Sequence, residues 1–309
     1  MSIEKLPYAR DHVGYGEHPP QTPWPDGARI AVNFVLNYEE GAESTPLNGD
    51  AQSETYLHES PGSTALVRQR NVNVESMYDY GSRSGVWRIL RIFERAQVPI
   101  TVFAVGQALA ANRDVGRAFA TCGHEIASHH WRWIDYLGTD IRIERDDIQR
   151  AVDIIEKLTG KPPVGWYSGR GSINSRALAV EAGCFIYDSD VYDDDLPHWA
   201  PNPRESLLLV PYSLDTNDVK FALSPGFSTG IDFENHLRDT FDFLYEEGAT
   251  VPKMMSIGLH CRMAGRPGRA AALTRFIRYI QSFDDVWICR REDIARHWIE
   301  RHPRPDTER

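Results

Sequence analysis

No stretch of this 309-residue chain comes near the roughly 18 consecutive apolar residues of a membrane-spanning helix, so no such span is expected. Basic charge is also short. Lys and Arg number 34 against 44 Asp and Glu, a formal net charge of -10. Nucleic-acid binding wants a basic face, and this balance argues against it. Cysteine is scarce and scattered: Cys122, Cys184, Cys261 and Cys289 form no CxxC pair and read as reduced, mostly buried thiols. The opening MSIEKLPYARDHVGYG lacks a basic segment followed by an apolar one. It is not a secretory signal, which sets the expectation of a cytoplasmic protein. Low-complexity tracts, internal repeats and composition breaks are missing too. The expectation is therefore one domain over residues 1–309: an N-terminal arm (1–28), a body (29–295), and a C-terminal helix end and tail (296–309).

What is there is a globular composition, 41% hydrophobic and 25% charged, with ample material for a core. The arm is rich in Pro, Gly and aromatics and reads as a strap over the body or toward a neighbouring subunit. RIAVNFVLNYEEG (29–41) is an apolar β-rich run ending in two carboxylates and a Gly, with a polar loop expected from there to about residue 80. Val86, Ile89, Leu90 and Phe93 share one face of a helix over 82–97. Strands follow at 99–106, 124–130, 163–171, 184–190, 207–213, 255–260 and 286–290. Helices alternate with them at 107–123, 143–160, 175–183, 232–248, 269–283 and 292–302. The strands are short and apolar throughout, as strands buried on both faces are. This alternation predicts an α/β protein with a parallel sheet, either a barrel or doubly wound.

In such folds the chemistry collects at the carboxyl ends of the strands. Those ends carry Glu39 and Glu40, His129 and His130, Ser168 and Arg170, Asp188 and Asp190, and His260 and Arg262. A buried His or Asp at one strand end is ordinarily a hydrogen-bonded structural group. Several on one rim point to a hydrolytic site. Gly41 permits the turn that brings both glutamates toward one pocket. His260 ends an all-apolar strand, an awkward place for a purely structural imidazole. A carboxylate facing an imidazole makes a base and acid pair. The Asp-rich loop VYDDDLPHW (191–199) reads first as a solvated turn, with His198 and Trp199 as pocket covers, and Trp131 and Trp166 read as core or pocket wall. In HEIASHHWRWIDY (124–136), a second histidine four residues after His129 would complete a metal-binding pair, but position 133 is Trp.

Taken together, NYEEG (37–41), SHHWRW (128–133), WYSGRG (166–171), DSDVYDDDLPHW (188–199) and GLH (258–260) resemble, in order, the motifs of the polysaccharide deacetylase family, the esterases with a nodulation-protein-B-like domain. The resemblance implies a distorted (β/α) barrel. Its metal-dependent members use the first carboxylate as base and bind the ion through the second and two histidines. By position Glu39 is then the base, and Glu40 and His129 are ligands. Trp133 stands where a third ligand belongs, and two ligands make a poor catalytic metal site. Together with YARDHVGYG and YDYGSRSGVWR (78–88), these departures look most like the family's cytoplasmic, metal-independent allantoinase branch. That branch implies a hydrolase opening the hydantoin ring of allantoin to allantoate in purine catabolism, with no cofactor, a small-molecule substrate and a homotetramer.

On that reading Glu39 takes a proton from water and His260 protonates the leaving nitrogen. Glu40, His129, Arg170, Trp199 and Arg262 are the substrate-binding candidates: Glu40 and His129 for the ureido groups or the catalytic water, Arg170 or backbone N–H groups for the oxyanion, and Arg262 for Glu40 or the product carboxylate. One rival is a metal-dependent deacetylase or cyclic imidase that binds zinc or another divalent ion by recruiting His130 or an aspartate from 193–195. The other is a binding protein that has lost catalysis. On the metal-free reading, Trp133 is expected to occupy the space of the missing ligand, as pocket wall or packing beneath it.

Overall fold

The computed structural model describes residues 10–201 and 207–304. The first strand, β1 (Ile30–Tyr38), is buried at every position and organises the rest. Its β-branched and aromatic residues suit a strand covered on both faces. β8 (Lys253–His260) pairs parallel with it from Ile30 to Asn37. On its other edge β2 (Thr101–Ala104) takes the upper half, Val35 to Tyr38, and β9 (Val286–Ile288) the lower half, Ile30 to Val32. Outward from β2 come β3 (Glu125–Ser128), β4 (Gly165–Trp166), β5 (Tyr187–Asp188), β7 (Leu208–Leu209) and β6 (His198–Trp199). Every pairing is parallel except β6 with β7.

The sheet curls until its two ends approach. The Met254 N–H of β8 donates to the Asp195 carbonyl at 3.1 Å, and Asn217 bridges to Gly258. Arg291 is fully buried inside the curl. It donates to Asn33 on β1, to Ser256 on β8, to Ser189, and to the Pro211 carbonyl at 2.9 Å. This guanidinium ties opposite walls together below the site. The architecture is a distorted (β/α) barrel, as expected.

Helices α1 (Val72–Tyr80), α2 (Val86–Ala96), α3 (Gly106–Ala111), α4 (Arg113–Thr121), α5 (Ile141–Thr159), α6 (Ser175–Ala182), α7 (Gly230–Glu247), α8 (Pro267–Ile280) and α9 (Arg291–Arg301) surround the sheet. α1 corrects the loop expected up to residue 80. Asn71 caps it by accepting from the Val74 N–H, and only Val74 and Tyr78 of its residues are buried. Two buried positions give too faint a period to detect. The π-helical turn Gly81–Gly85 then joins α1 to α2. The helix expected over 107–123 is two helices, because Asn112 leaves helical backbone and caps α4.

The described part of the arm, residues 10–28, meets the body through Trp24. Trp24 is buried 5.7 Å from both Trp287 and Trp298, and its indole N–H donates to the Lys253 carbonyl at 2.8 Å. Residues 1–9 of the arm and 305–309 of the tail lie outside the described residues. No helix among the described residues is long and apolar enough to cross a membrane.

Candidate active site

β1 ends at Tyr38, and Gly41, at φ 91°, turns the chain away, so Glu39 and Glu40 leave the strand at the barrel's carboxyl rim. The turn parts the two carboxylates. Glu39 is fully buried, with Oε2 accepting from Arg262 Nη1 at 2.6 Å. Its Oε1 faces two imidazoles, 3.5 Å from His129 Nε2 and 3.4 Å from His260 Nε2. Glu40 points elsewhere. Its Oε2 accepts from the Glu39 N–H at 2.9 Å, and its Oε1 lies against Gly81, where an added Cβ would come within 2.2 Å.

His260 is set by a residue the sequence did not single out. Asp218, fully buried at the start of a 3-10 turn, binds both the His260 N–H at 2.8 Å and Nδ1 at 2.7 Å. Nothing in LDTND marks this aspartate locally, and 42 residues separate it from its partner. Burial works against a charged imidazole here, but Glu39 and Asp218 outweigh it and push His260 up to about 9. Burial likewise works against the Glu39 carboxylate, and Arg262 and His260 overrule it, holding the group well below the usual carboxylate range. At neutral pH the site therefore presents a carboxylate to an imidazolium. Glu40 has no such support: burial, with Glu39 beside it, pushes its carboxyl up to about 7 despite Arg262.

His129 stands beside the pair. Its Nδ1 lies 3.0 Å from the Tyr167 carbonyl, so a ring hydrogen sits there, and Nε2 turns toward Glu39 Oε1. Neither of these two atoms has a hydrogen-bond partner among the described residues. The Trp133 ring packs 5.0 Å from His129, and Trp133 borders the cavity.

A cavity of about 100 Å³ opens above the pair. Glu39, His260, Asn37 and Asn217 border it with Tyr56, Trp133, Tyr167, Tyr192 and Tyr212. The tyrosines and both asparagines escaped the sequence reading. They come from separate loops and strands, and a Tyr at a strand end reads equally well as core.

Four of the anticipated substrate contacts sit elsewhere. Glu40 is turned away, as described. Arg262 clamps Glu39 and comes only within 4.0 Å of Glu40. Arg170 pairs with Glu54 at 3.2 Å and lies against the Tyr56 and Trp133 rings, behind the cavity wall. Trp199 donates to the His302 carbonyl at 2.8 Å and packs against the core cluster that includes Trp24 and Trp298, on β6, which runs antiparallel to β7. The other strand-end groups are structural as well. Asp190 accepts from the Ser168 and Gly169 N–H groups, at 2.6 and 2.7 Å, and Asp188 pairs with Arg176.

The donor set does not suit the divalent ion that the resemblance implies for metal-dependent relatives. Arg262 holds one Glu39 oxygen and the imidazolium of His260 faces the other, so positive charge already surrounds the carboxylate. Trp133 has only an N–H and cannot ligate. His130, at φ 64°, is turned from His129 and stacks on Tyr136 at 3.6 Å, and Asp193 pairs with His198. Among the described residues no three His, Cys, Asp or Glu side chains could hold a metal ion.

A carboxylate opposed to an imidazolium, at the carboxyl rim of a parallel (β/α) barrel, defines an acid–base centre of the hydrolase type. Comparison with known proteins agrees. The polysaccharide deacetylase family model matches residues 68–184. A Schizosaccharomyces pombe protein, named for the polysaccharide deacetylases, is 43% identical over 95% of this chain and 98% of its own. A crystal structure of a Pseudomonas aeruginosa PAO1 protein, also named as a polysaccharide deacetylase, matches with a TM-score of 0.94 at 54% identity, covering 96% of this chain and all of that one. The crystal structure of a PuuE allantoinase matches with a TM-score of 0.94 at 53% identity, over 96% and 99% of the two chains. The chain belongs to the polysaccharide deacetylase family, within the deacetylase and hydrolase superfamily.

Proposed function

We propose that this protein is an allantoinase, opening the hydantoin ring of allantoin to allantoate without a metal ion. The observation that carries this reading is the cavity. At about 100 Å³ it is small beside the roughly 300–1,000 Å³ of ordinary ligand pockets, and aromatic side chains crowd it. That shape suits one small planar ring better than a sugar polymer, which needs an open groove. The name of the PuuE relative points the same way.

The residues supply each proton transfer. A water between Glu39 Oε1 and His129 Nε2 donates one hydrogen to each acceptor, which aims its lone pair at the ring carbonyl. Glu39 takes one proton as the water oxygen bonds to the carbonyl carbon, and the carbonyl oxygen becomes the oxyanion. The ring C–N bond then breaks, and His260 gives its Nε2 proton to the departing nitrogen. Glu39 returns its proton to His260, and the new carboxyl group releases its own remaining proton to solvent as the product leaves. Arg262 keeps the Glu39 carboxylate ionised and fixed, and Asp218 keeps His260 charged.

The test is an assay of purified, chelator-treated protein on allantoin, other hydantoins and chito-oligosaccharides, with metal analysis alongside. Allantoate formation that survives chelation is the expected result. Activity lost on chelation and restored by zinc would overturn the metal-free mechanism, and turnover of N-acetyl sugars alone would overturn the substrate.

A further inference from the structure

The cavity floor holds a hydroxyl whose hydrogen is left over. Tyr212 Oη lies 3.1 Å from Asn37 Nδ2 and 3.2 Å from Asn217 Nδ2. Both amides are oriented by the backbone. Asn37 Nδ2 also donates to the Leu259 carbonyl at 3.2 Å, and Asn217 Oδ1 accepts the Val219 N–H at 3.0 Å. Neither can flip without losing a buried hydrogen bond, so each presents N–H to the phenol oxygen. The oxygen therefore accepts twice and cannot donate to either asparagine. Among the described residues no acceptor takes the Tyr212 hydrogen.

The sequence makes room for this arrangement. Gly258 of β8 lies beneath it, and a Cβ there would come within 2.1 Å of Asn217 Nδ2 and 2.4 Å of Tyr212 Oη. Asn37 is in register with His260, and Gly258 and His260 lie two residues apart on one face of β8. The hydroxyl is thus one residue pair below the acid–base centre, and Asn37, Tyr212 and Asn217 all border the cavity with Glu39 and His260. Burial holds the phenol above its ordinary value, so it stays protonated and acts as a donor. Two amide donors on one oxygen polarise its O–H bond and strengthen it as a donor.

We propose that the Tyr212 hydroxyl donates a hydrogen bond to a carbonyl oxygen of the bound ring, fixing the ring's orientation against Glu39 and His260. A cyclic ureide or imide carries such an acceptor on a rigid frame. This assignment rests on the reading of the cavity as a ring-opening site.

The test compares wild type with Tyr212→Phe, which removes the hydroxyl alone, and Asn217→Asp, which keeps it but supplies an acceptor that captures its hydrogen. Kinetics on allantoin are measured with pH profiles and melting curves. Both variants are expected to lose roughly 10-fold or more in kcat/KM, the loss expected when a built hydrogen-bonding site goes unmatched. Tyr212→Phe should keep the wild-type pH limbs, because Glu39 and His260 are untouched. A folded Tyr212→Phe protein within threefold of wild type overturns the assignment, as does an Asn217→Asp protein of unchanged activity. Wild-type protein inert toward every cyclic ureide would instead sink the function on which the assignment rests.

Discussion

Arg262 grips Glu39 by one oxygen only. Nη1 lies 2.6 Å from Oε2, while Oε1 is left to His129 and His260 at 3.5 and 3.4 Å. The guanidinium is itself fixed, by the Leu57 carbonyl at 3.3 Å and by the Tyr78 ring 4.2 Å away. One carboxylate oxygen is thus held by the guanidinium, and the other is left to the imidazoles. Arg262→Met should leave a buried carboxylate without its cation, a loss of about 3–5 kcal/mol in stability. The Glu39 carboxyl should titrate higher. The acid limb of kcat/KM should then move toward neutral pH, because activity needs the ionised form. Denaturant unfolding and a pH–rate profile read the two effects.

His260 gives the opposite limb. Its folded-state value of about 9 is above the ordinary one, so the proton is held more tightly in the native protein. The stability this contributes is full below the unfolded imidazole value and is lost as pH rises through about 9. Activity that needs the imidazolium should fall over the upper part of that range. Asp218→Asn removes one of its two carboxylate neighbours and should move the alkaline limb of kcat/KM downward. A limb that stays in place would remove Asp218 from this role.

Gly85 is a packing requirement of the site. An added Cβ would come within 2.0 Å of the Cys261 carbonyl oxygen and 2.8 Å of its carbon. Backbone cannot swing aside as a side-chain tip can. Gly85→Ala should cost about 1–3 kcal/mol or more and displace the segment carrying His260 and Arg262. Thermal unfolding and kcat measured together on this variant are expected to fall together.

Trp199 supplies the control. Its indole N–H bonds the His302 carbonyl, remote from Glu39. Trp199→Phe should lower stability by about 1 kcal/mol, the worth of one hydrogen bond, and leave kcat/KM unchanged. A selective loss of activity would return Trp199 to the site.

How far the sequence reached is clearest at two residues. Trp133 was legible as a neighbour of His129, because four residues on is a position defined by local geometry. The structure packs it against that histidine. Asp218 was not legible. It lies on a short turn between β7 and α7, and only the curl of the sheet brings it under His260. Arg170 and Arg262 show the same limit from the other side. Both are at strand ends, yet one guanidinium went to Glu54 behind the wall and the other to Glu39.

The sequence by itself determined the alternation of buried strands and helices, and it marked Glu39 and His260 as candidates at the carboxyl rim. Those features are local, written in apolar periods and in the polar residues that end each run. Only the tertiary structure decided which glutamate faces the imidazoles, which arginine holds it, and which groups border the cavity. The turn at Gly41 separates Glu39 from Glu40, and the closing of β1 against β8 sets Asn37 level with His260. These choices depend on contacts between residues far apart in the chain, whose partners are fixed only when the barrel is formed.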